Sequence, residues 1–270
     1  MQTNFSEQQL TDPRTEEIDG ILRRCVHCGL CTAVCSTYVL DGDERDSPRG
    51  RIYLMKDMFE GSKAATGQVQ YHIDRCLSCL SCMTTCPSGV DYMHLVDHAR
   101  VHIEKTGSRS WKSRIMRKLL AEIVPYPQRF RLALKLAPLG RPLIPMMRML
   151  GFKELAAMVA LAPHRVPTPS QFDGAGTAAT KSERRARVIM LAGCAQQVLR
   201  PEINDTTIRL LARRGVDVVV ANGAGCCGAA THHLGHEHEA RAMVRRNIDA
   251  WEKAMERGPV DAIIVNASGC

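Results

Sequence analysis

Aromatic residues are scarce: Phe, Trp and Tyr make up 4% of the 270 residues. The cores must therefore rest on Leu, Val, Ile, Met and Ala. Long apolar runs are missing too, and without about 18 such residues in a row no membrane-crossing helix is expected. The opening stretch, MQTNFSEQQLTDPRTEE, is polar and acidic and has no apolar segment, so it does not read as a Sec leader. The chain is expected to stay in the cytoplasm.

What the sequence has in excess is cysteine, twelve residues in all. A cytoplasmic compartment keeps thiols reduced, so these are not read as a disulfide framework. Eight fall in two tight groups, the arrangement of metal ligands. The net charge of +8 is uneven. Residues 1–107 carry −4, residues 108–170 carry +10 and residues 171–270 carry +2.

The two cysteine groups repeat one spacing. The first is Cys25-x2-Cys28-x2-Cys31-x3-Cys35, followed by Ser36; the second is Cys76-x2-Cys79-x2-Cys82-x3-Cys86, followed by Pro87. Three thiolates on a C-x2-C-x2-C loop can cap three irons of one [4Fe–4S] cubane. The fourth cysteine points away, and in two-cluster ferredoxins it ligates the other cluster. The expected ligand sets are Cys25, Cys28, Cys31 and Cys86 for cluster one, and Cys76, Cys79, Cys82 and Cys35 for cluster two. Four-thiolate zinc sites usually use two separated C-x2-C knuckles, which disfavours zinc here. Ser36 replaces the usual proline but removes no ligand. Gly29, Ala33, Ser78, Ser81 and Gly89 are small enough to let backbone N–H groups approach sulfide. His27 lies between ligands. It reads more readily as a partly exposed loop histidine than as a group tuning a potential.

Helices are expected over 16–24, 48–60 with Pro48 near the start, and 91–105. Residues 108–170 read as a basic helical connector, with prolines 125, 127, 138, 142 and 145 breaking it into short pieces. It lacks the interleaved aromatics of a nucleic-acid module, so no nucleic-acid partner is expected. A solvated connector, a docking face for an acidic partner and a patch on anionic lipid all fit it.

The stretch 163–183 is rich in Pro, Gly, Ser and Thr, and the linker is placed at 171–185. From residue 186 the texture changes. ARVIMLAG, VDVVVAN and DAIIVNAS read as strands, separated by helices over PEINDTTIRLLARRG, closed by Gly215, and HEHEARAMVRRNIDAWEKAMERG. That alternation predicts a parallel sheet. Cys194, the pair Cys226–Cys227 and Cys270 each follow a strand, at the carboxyl edge where open α/β sheets place their sites. They form a candidate additional metal site, with Gly228 allowing close backbone approach. The alternative is small residues packing a crowded strand end. In the nearby run His232, His233, His236 and His238, His233 could reach it, while His236 and His238 read as lying on a solvated face. The chain stops at Cys270 directly after a strand, which reads as a truncation.

The expected fold class is α+β: a helical two-cluster bacterial-ferredoxin-like domain (1–107), a connector (108–170), a linker (171–185) and an incomplete α/β parallel-sheet Cys-Cys-Gly domain (186–270). RCVHCGLCTAVCSTYVLDGDERDSPRGRIYLMKDMFEG, HIDRCLSCLSCMTTCPSGVDYMHLVDHAR and GAGCCGAATHHLG together resemble the iron–sulfur subunits of glycolate oxidase. The resemblance covers most of residues 15–270, and the second Cys-Cys-Gly repeat usual in that family is missing. It implies an electron-transfer subunit with two [4Fe–4S] clusters and a candidate third iron–sulfur site. It also implies FAD on a partner flavoprotein subunit that oxidises glycolate, and electrons passed towards quinone; the lipid-patch reading of 108–170 would suit that role as a peripheral contact with the inner face of the cytoplasmic membrane. No flavin site is evident in this chain, so substrate oxidation by it alone is not expected. The iron–sulfur subunits of anaerobic glycerol-3-phosphate dehydrogenase and of heterodisulfide reductase are the alternatives.

Overall fold

A computed structural model of the chain describes residues 1–107, 109–267 and 270. Ser108 of the expected connector and Ser268 of the third expected strand lie outside the described residues. The chain divides into two compact units, one of Met1–Ser110 with His233–His236, the other of Trp111–His232 with Glu237–Cys270.

The first unit is helical. Its main helices are α1 (Pro13–Arg24), α2 (Pro48–Glu60), α3 (Gly67–Asp74) and α4 (Tyr92–Thr106). Each begins where a short polar side chain caps free backbone N–H groups: Asp12, Ser47, Thr66 and Asp91. Pro13 and Pro48 open α1 and α2, where the missing N–H costs nothing. Apolar residues on these helices, among them Leu22, Met55, Ile73, Leu95 and Ile103, meet in one core. The cysteine loops lie at its margin, since Cys25, Cys76, Cys82 and Cys86 belong to or pack against that core.

The second unit begins with the basic helices α5 (Trp111–Ile123), α6 (Pro127–Gly140) and α7 (Lys153–Leu161), with Ile144–Met149 between the last two. Prolines 127, 142 and 145 stand at element starts as expected. Pro138 does not break the chain: it sits inside α6, one turn from its end. Trp111, Leu139, Met149 and Leu161 are exposed on these helices, and α5, α6 and α7 enclose an apolar groove of about 270 Å³.

The sheet of this unit has four strands in the order β1 (Gly176–Ala178), β3 (Val216–Val220), β2 (Ala186–Met190), β4 (Ala262–Ile264). The three expected strands are parallel, with Ile189 paired to Val219 and to Ile263. The strand β1 goes beyond the sequence expectation: it forms inside the linker segment and pairs antiparallel with β3, Gly176 opposite Val220. The sheet is therefore mixed. Alternation along the strands supplies two faces. Val188, Met190 and Val218 pack on Ile208 of α8 (Pro201–Arg213), while Ile189, Val219 and Ala221 pack on Ala250 and Ala254 of α9 (Glu237–Met255). Among the described residues no helix is long and apolar enough to cross a membrane.

Candidate metal centres

The two ferredoxin-type loops are built alike. In each, the second residue after the first cysteine and the first residue after the second cysteine take positive φ: His27 (57°) and Gly29 (80°) in one, Ser78 (52°) and Leu80 (58°) in the other. Three of these four are not glycine, and each holds a conformation that costs of order 1 kcal/mol or more. Left-handed residues placed this way make backbone nests that gather N–H groups around an anion. The repetition of the same costly geometry is a sign of a shared ligand.

The thiols line two cavities. Cys25, Cys28 and Cys31 line the first, and Cys86 from the other loop joins them. Cys76, Cys79 and Cys82 line the second, and Cys35 joins them. Cys82 and Tyr92 border both. The fourth cysteine of each run thus faces the other run's cavity. Each cavity presents reduced thiols from both runs and apolar walls that include Pro48. That donor set suits iron or another thiophilic metal.

The electrostatics point the same way. Burial pushes the Cys31 thiol up, and burial together with the neighbouring cysteines pushes Cys82 to about 12. The backbone N–H of Ser81 draws Cys79 down. Crowded, half-buried thiolates repel one another and need a cationic group among them to persist. Val90 N–H donates to Cys86 Sγ at 3.5 Å, and the buried Tyr92 hydroxyl donates to Cys76 Sγ at 3.7 Å. Burial and the adjacent Cys76 raise the Tyr92 hydroxyl well above its ordinary value, so it stays a donor.

The segment SPRGRI is explained residue by residue. Ser47 caps α2 through Gly50 N–H at 2.9 Å. Arg49 pairs with Glu44 at 2.7 Å and lines the first cavity. Gly50 lets α2 approach the short helical turn Glu44–Asp46: a Cβ there would stand 1.9 Å from Glu44 O. Arg51 is buried, 1% exposed, and lines the second cavity. Ile52 packs in the core against the first. Sequence reasoning misses Arg51 and Tyr92. Arginine on a helix ordinarily suggests a solvated face, and no motif marks Tyr92.

His27 lines the first cavity and its ring lies 4.4 Å from the Tyr53 ring, tilted at 48°, with burial pulling its imidazole down.

In the second unit, Cys194 follows β2, Cys226–Cys227 follow β3 and Cys270 follows β4. Cys226 Sγ donates to Cys194 Sγ at 3.4 Å, and the two pack with Cys227. The thiol of Cys226 lowers Cys194 to about 7. Cys227 is lowered by donation from Cys226 and Cys270, while Cys226 and Cys270, which keep the protons, are raised. Gly228 N–H and Ala229 N–H point at Cys226 Sγ and Cys227 Sγ, both at 3.4 Å. The four cysteines thus share protons at one sheet edge. Buried Asn247 of α9 clamps the loop, accepting from Gly225 N–H at 2.7 Å and donating to Cys226 O at 2.9 Å. His233 belongs to the first unit, where its Nδ1 stands 3.7 Å from a carboxylate oxygen of Asp97.

Gly223, Gly225 and Gly228 have the G-x-G-x-x-G spacing of a dinucleotide-binding loop after a strand, a match that the sequence reading of no flavin site passes over. Their open faces are taken up by α9. A Cβ at Gly228 would stand 3.0 Å from Ala240 O, one at Gly225 2.8 Å from the Arg246 side chain, and one at Gly223 3.8 Å from Ala250. The helix that follows, Ala229–His233, is a single short turn. These glycines serve the packing of a cysteine loop.

Residues 24–90 match the family of 4Fe–4S dicluster domains, and residues 188–270 match the cysteine-rich domain family. Over its full length the chain is 44% identical to the glycolate oxidase iron–sulfur subunit of Escherichia coli and spans 62% of that protein. It is 32% identical to the probable glycolate oxidase iron–sulfur subunit of Bacillus subtilis, again spanning 62% of it. A more distant relative is one of the subunits of the dihydromethanophenazine:CoB–CoM heterodisulfide reductase of Methanosarcina barkeri, 22% identical over 91% of this chain and 55% of that one. No solved structure matches the chain. The chain is thus similar over its full length to glycolate oxidase iron–sulfur subunits, of which it spans 62%, with one segment matching 4Fe–4S dicluster domains and a later one matching cysteine-rich domains.

Proposed function

We propose that this chain is the electron-transfer subunit of a flavin-dependent 2-hydroxy-acid dehydrogenase, glycolate oxidase, carrying electrons from a flavoprotein partner towards quinone. The observation that supports this most is the pair of thiol-lined cavities, each joined by the fourth cysteine of the other run. Cys25, Cys28, Cys31 and Cys86 hold one [4Fe–4S] cluster; Cys76, Cys79, Cys82 and Cys35 hold the other. Such clusters supply one-electron carriers. Hydride chemistry on glycolate belongs to FAD on the partner subunit. Cys194, Cys226, Cys227 and Cys270 hold a third iron–sulfur site. The working domains are 1–107, 108–170, 171–185 and 186–270.

The test is the anaerobic complex with its flavoprotein subunits. Glycolate should reduce the clusters, read as loss of visible absorbance and the appearance of a reduced-cluster resonance. Clusters that dithionite reduces and glycolate does not would overturn the assignment. Iron well above about eight atoms per chain supports the third site; iron at or below that number refutes it. The basic segment 108–170, with 12 Lys and Arg and with exposed Trp111, Leu139, Met149 and Leu161, forms a peripheral contact with anionic lipid at the inner face of the cytoplasmic membrane. Liposome flotation decides this: binding should need anionic lipid and vanish in high salt, and absence of binding at low salt refutes it.

A further inference from the structure

The two cavities differ in how a positive charge reaches them. Each is lined by one arginine of the SPRGRI segment. Arg49, at the first, is about one third exposed and tied to the exposed Glu44 carboxylate. Water screens a charge so placed. Arg51, at the second, is buried and fixed on every side. Its Nε donates to His72 O at 2.7 Å, and its Nη2 donates to Asp46 Oδ1 and Thr37 Oγ1, both at 3.1 Å. Its Nη1 points at Cys35 Sγ, 3.8 Å away. The Thr37 hydroxyl lies 3.3 Å from the same sulfur.

The Asp46 carboxylate offsets the guanidinium charge, and the Asp46 backbone O lies 3.5 Å from Cys35 Sγ and accepts from Thr37 Oγ1 at 2.9 Å. Arg51 lines the second cavity and Asp46 does not. The side-chain pair is a buried dipole whose guanidinium end lines that cavity and reaches Cys35, the sulfur that crosses from the first run. His72 Nδ1 holds the other side of Asp46 Oδ1 at 3.0 Å, and Arg75 approaches Oδ2 at 3.3 Å. Asp43, Asp46 and His72 also group closely enough to suggest a cation site. Asp46, however, is already committed to two arginines, so the grouping serves the ion pair.

We propose that Arg51 is a positioning residue that raises the reduction potential of the cluster completed by Cys35 above that of the cluster completed by Cys86. An N–H donor on a ligand sulfur, and a positive dipole end in a water-poor site, both favour the state that carries one more electron. An electron shared by the two centres then rests on the Cys35 side. This rests on the ligand sets proposed above, and the experiment separates the two.

The experiment is a redox titration of the anaerobic complex followed by electron paramagnetic resonance, in the parent protein, Arg51→Gln and Arg51→Lys, each with its iron content measured. Cys35→Ser identifies which resonance belongs to the Cys35-side cluster; if it instead removes the cluster of its own loop, the ligand sets are wrong. In Arg51→Gln that resonance should fall in potential by at least a tenfold change in its reduction constant, which is 59 mV for one electron. The other resonance should stay in place. Arg51→Lys, which keeps the charge and loses the fork, should fall less. Full iron content with both potentials unmoved, or moved equally, overturns the proposal. If Arg51→Gln fails to hold iron, Arg51→Lys decides alone: a fall confined to the Cys35-side cluster supports the proposal, and unchanged potentials overturn it.

Discussion

An alanine at position 50 should destabilise the first unit, against the usual effect of that substitution in a helix. In an exposed helix interior, alanine is favoured over glycine by up to about 1 kcal/mol. At Gly50 the added Cβ would lie 1.9 Å from Glu44 O and 2.7 Å from Glu44 C. Ordinary contact starts near 3.4 Å, so about 1.5 Å of separation has to be found. The obstacle is backbone, with no flexible side chain to swing aside. Overpacking of a tight site costs about 1–3 kcal/mol, and a backbone obstacle places Gly50→Ala at the upper end, about 2–3 kcal/mol net. The strain falls on the turn Glu44–Asp46, which holds Asp46 against Arg51 at 3.1 Å, so iron retention at the Cys35 side should drop with stability. Gly20 is the internal control. It lies exposed in α1 with nothing within 4 Å of its would-be Cβ, and Gly20→Ala should stabilise by about 0.5–1 kcal/mol. Urea unfolding of the anaerobic proteins, with iron determined in parallel, measures both. If Gly50→Ala is as stable as the parent, or gains as Gly20→Ala does, the close approach of α2 to that turn is wrong.

Two further substitutions probe the centres. Cys35→Ser should cost the cluster of Cys76, Cys79 and Cys82 while its own loop keeps iron, leaving about four irons of eight in the dicluster domain; loss of the Cys25, Cys28 and Cys31 cluster alone would refute the exchange of fourth ligands. Asn247→Ala removes the clamp on the Cys-Cys-Gly loop and strands Gly225 N–H and Cys226 O inside the unit. It should cost about 2 kcal/mol or more in urea unfolding and speed alkylation of Cys226 in metal-free protein; an unchanged midpoint and labelling rate would show that Asn247 does not hold the loop.

The parts of the molecule that can be read in advance are those where one residue type has one strong use. Cysteine repeated at fixed spacing marks the two loops, and the exchange of fourth thiols follows from the short reach of a C-x2-C-x2-C turn. β-branched runs mark β2, β3 and most of β4, because those residues fit a pleated, half-buried surface. The misses share the opposite property. β1 is Gly-Thr-Ala, with little strand preference of its own; the free edge of β3 recruits it, a partner about 40 residues away that no local window contains. Pro138 reads as a break, yet within one turn of the end of α6 the ring displaces only a bond that is about to be given up. Arg51, in a segment of alternating charged and apolar residues, carries no local mark of a core position. Its burial depends on four acceptors from three segments, Cys35 with Thr37, Asp46, and His72, and a guanidinium is tolerated in a core only when such partners converge. Cysteine spacing marks which thiols gather at the two cavities. What makes the two centres different from each other is written in contacts between segments, and there the structure adds what the sequence alone withholds.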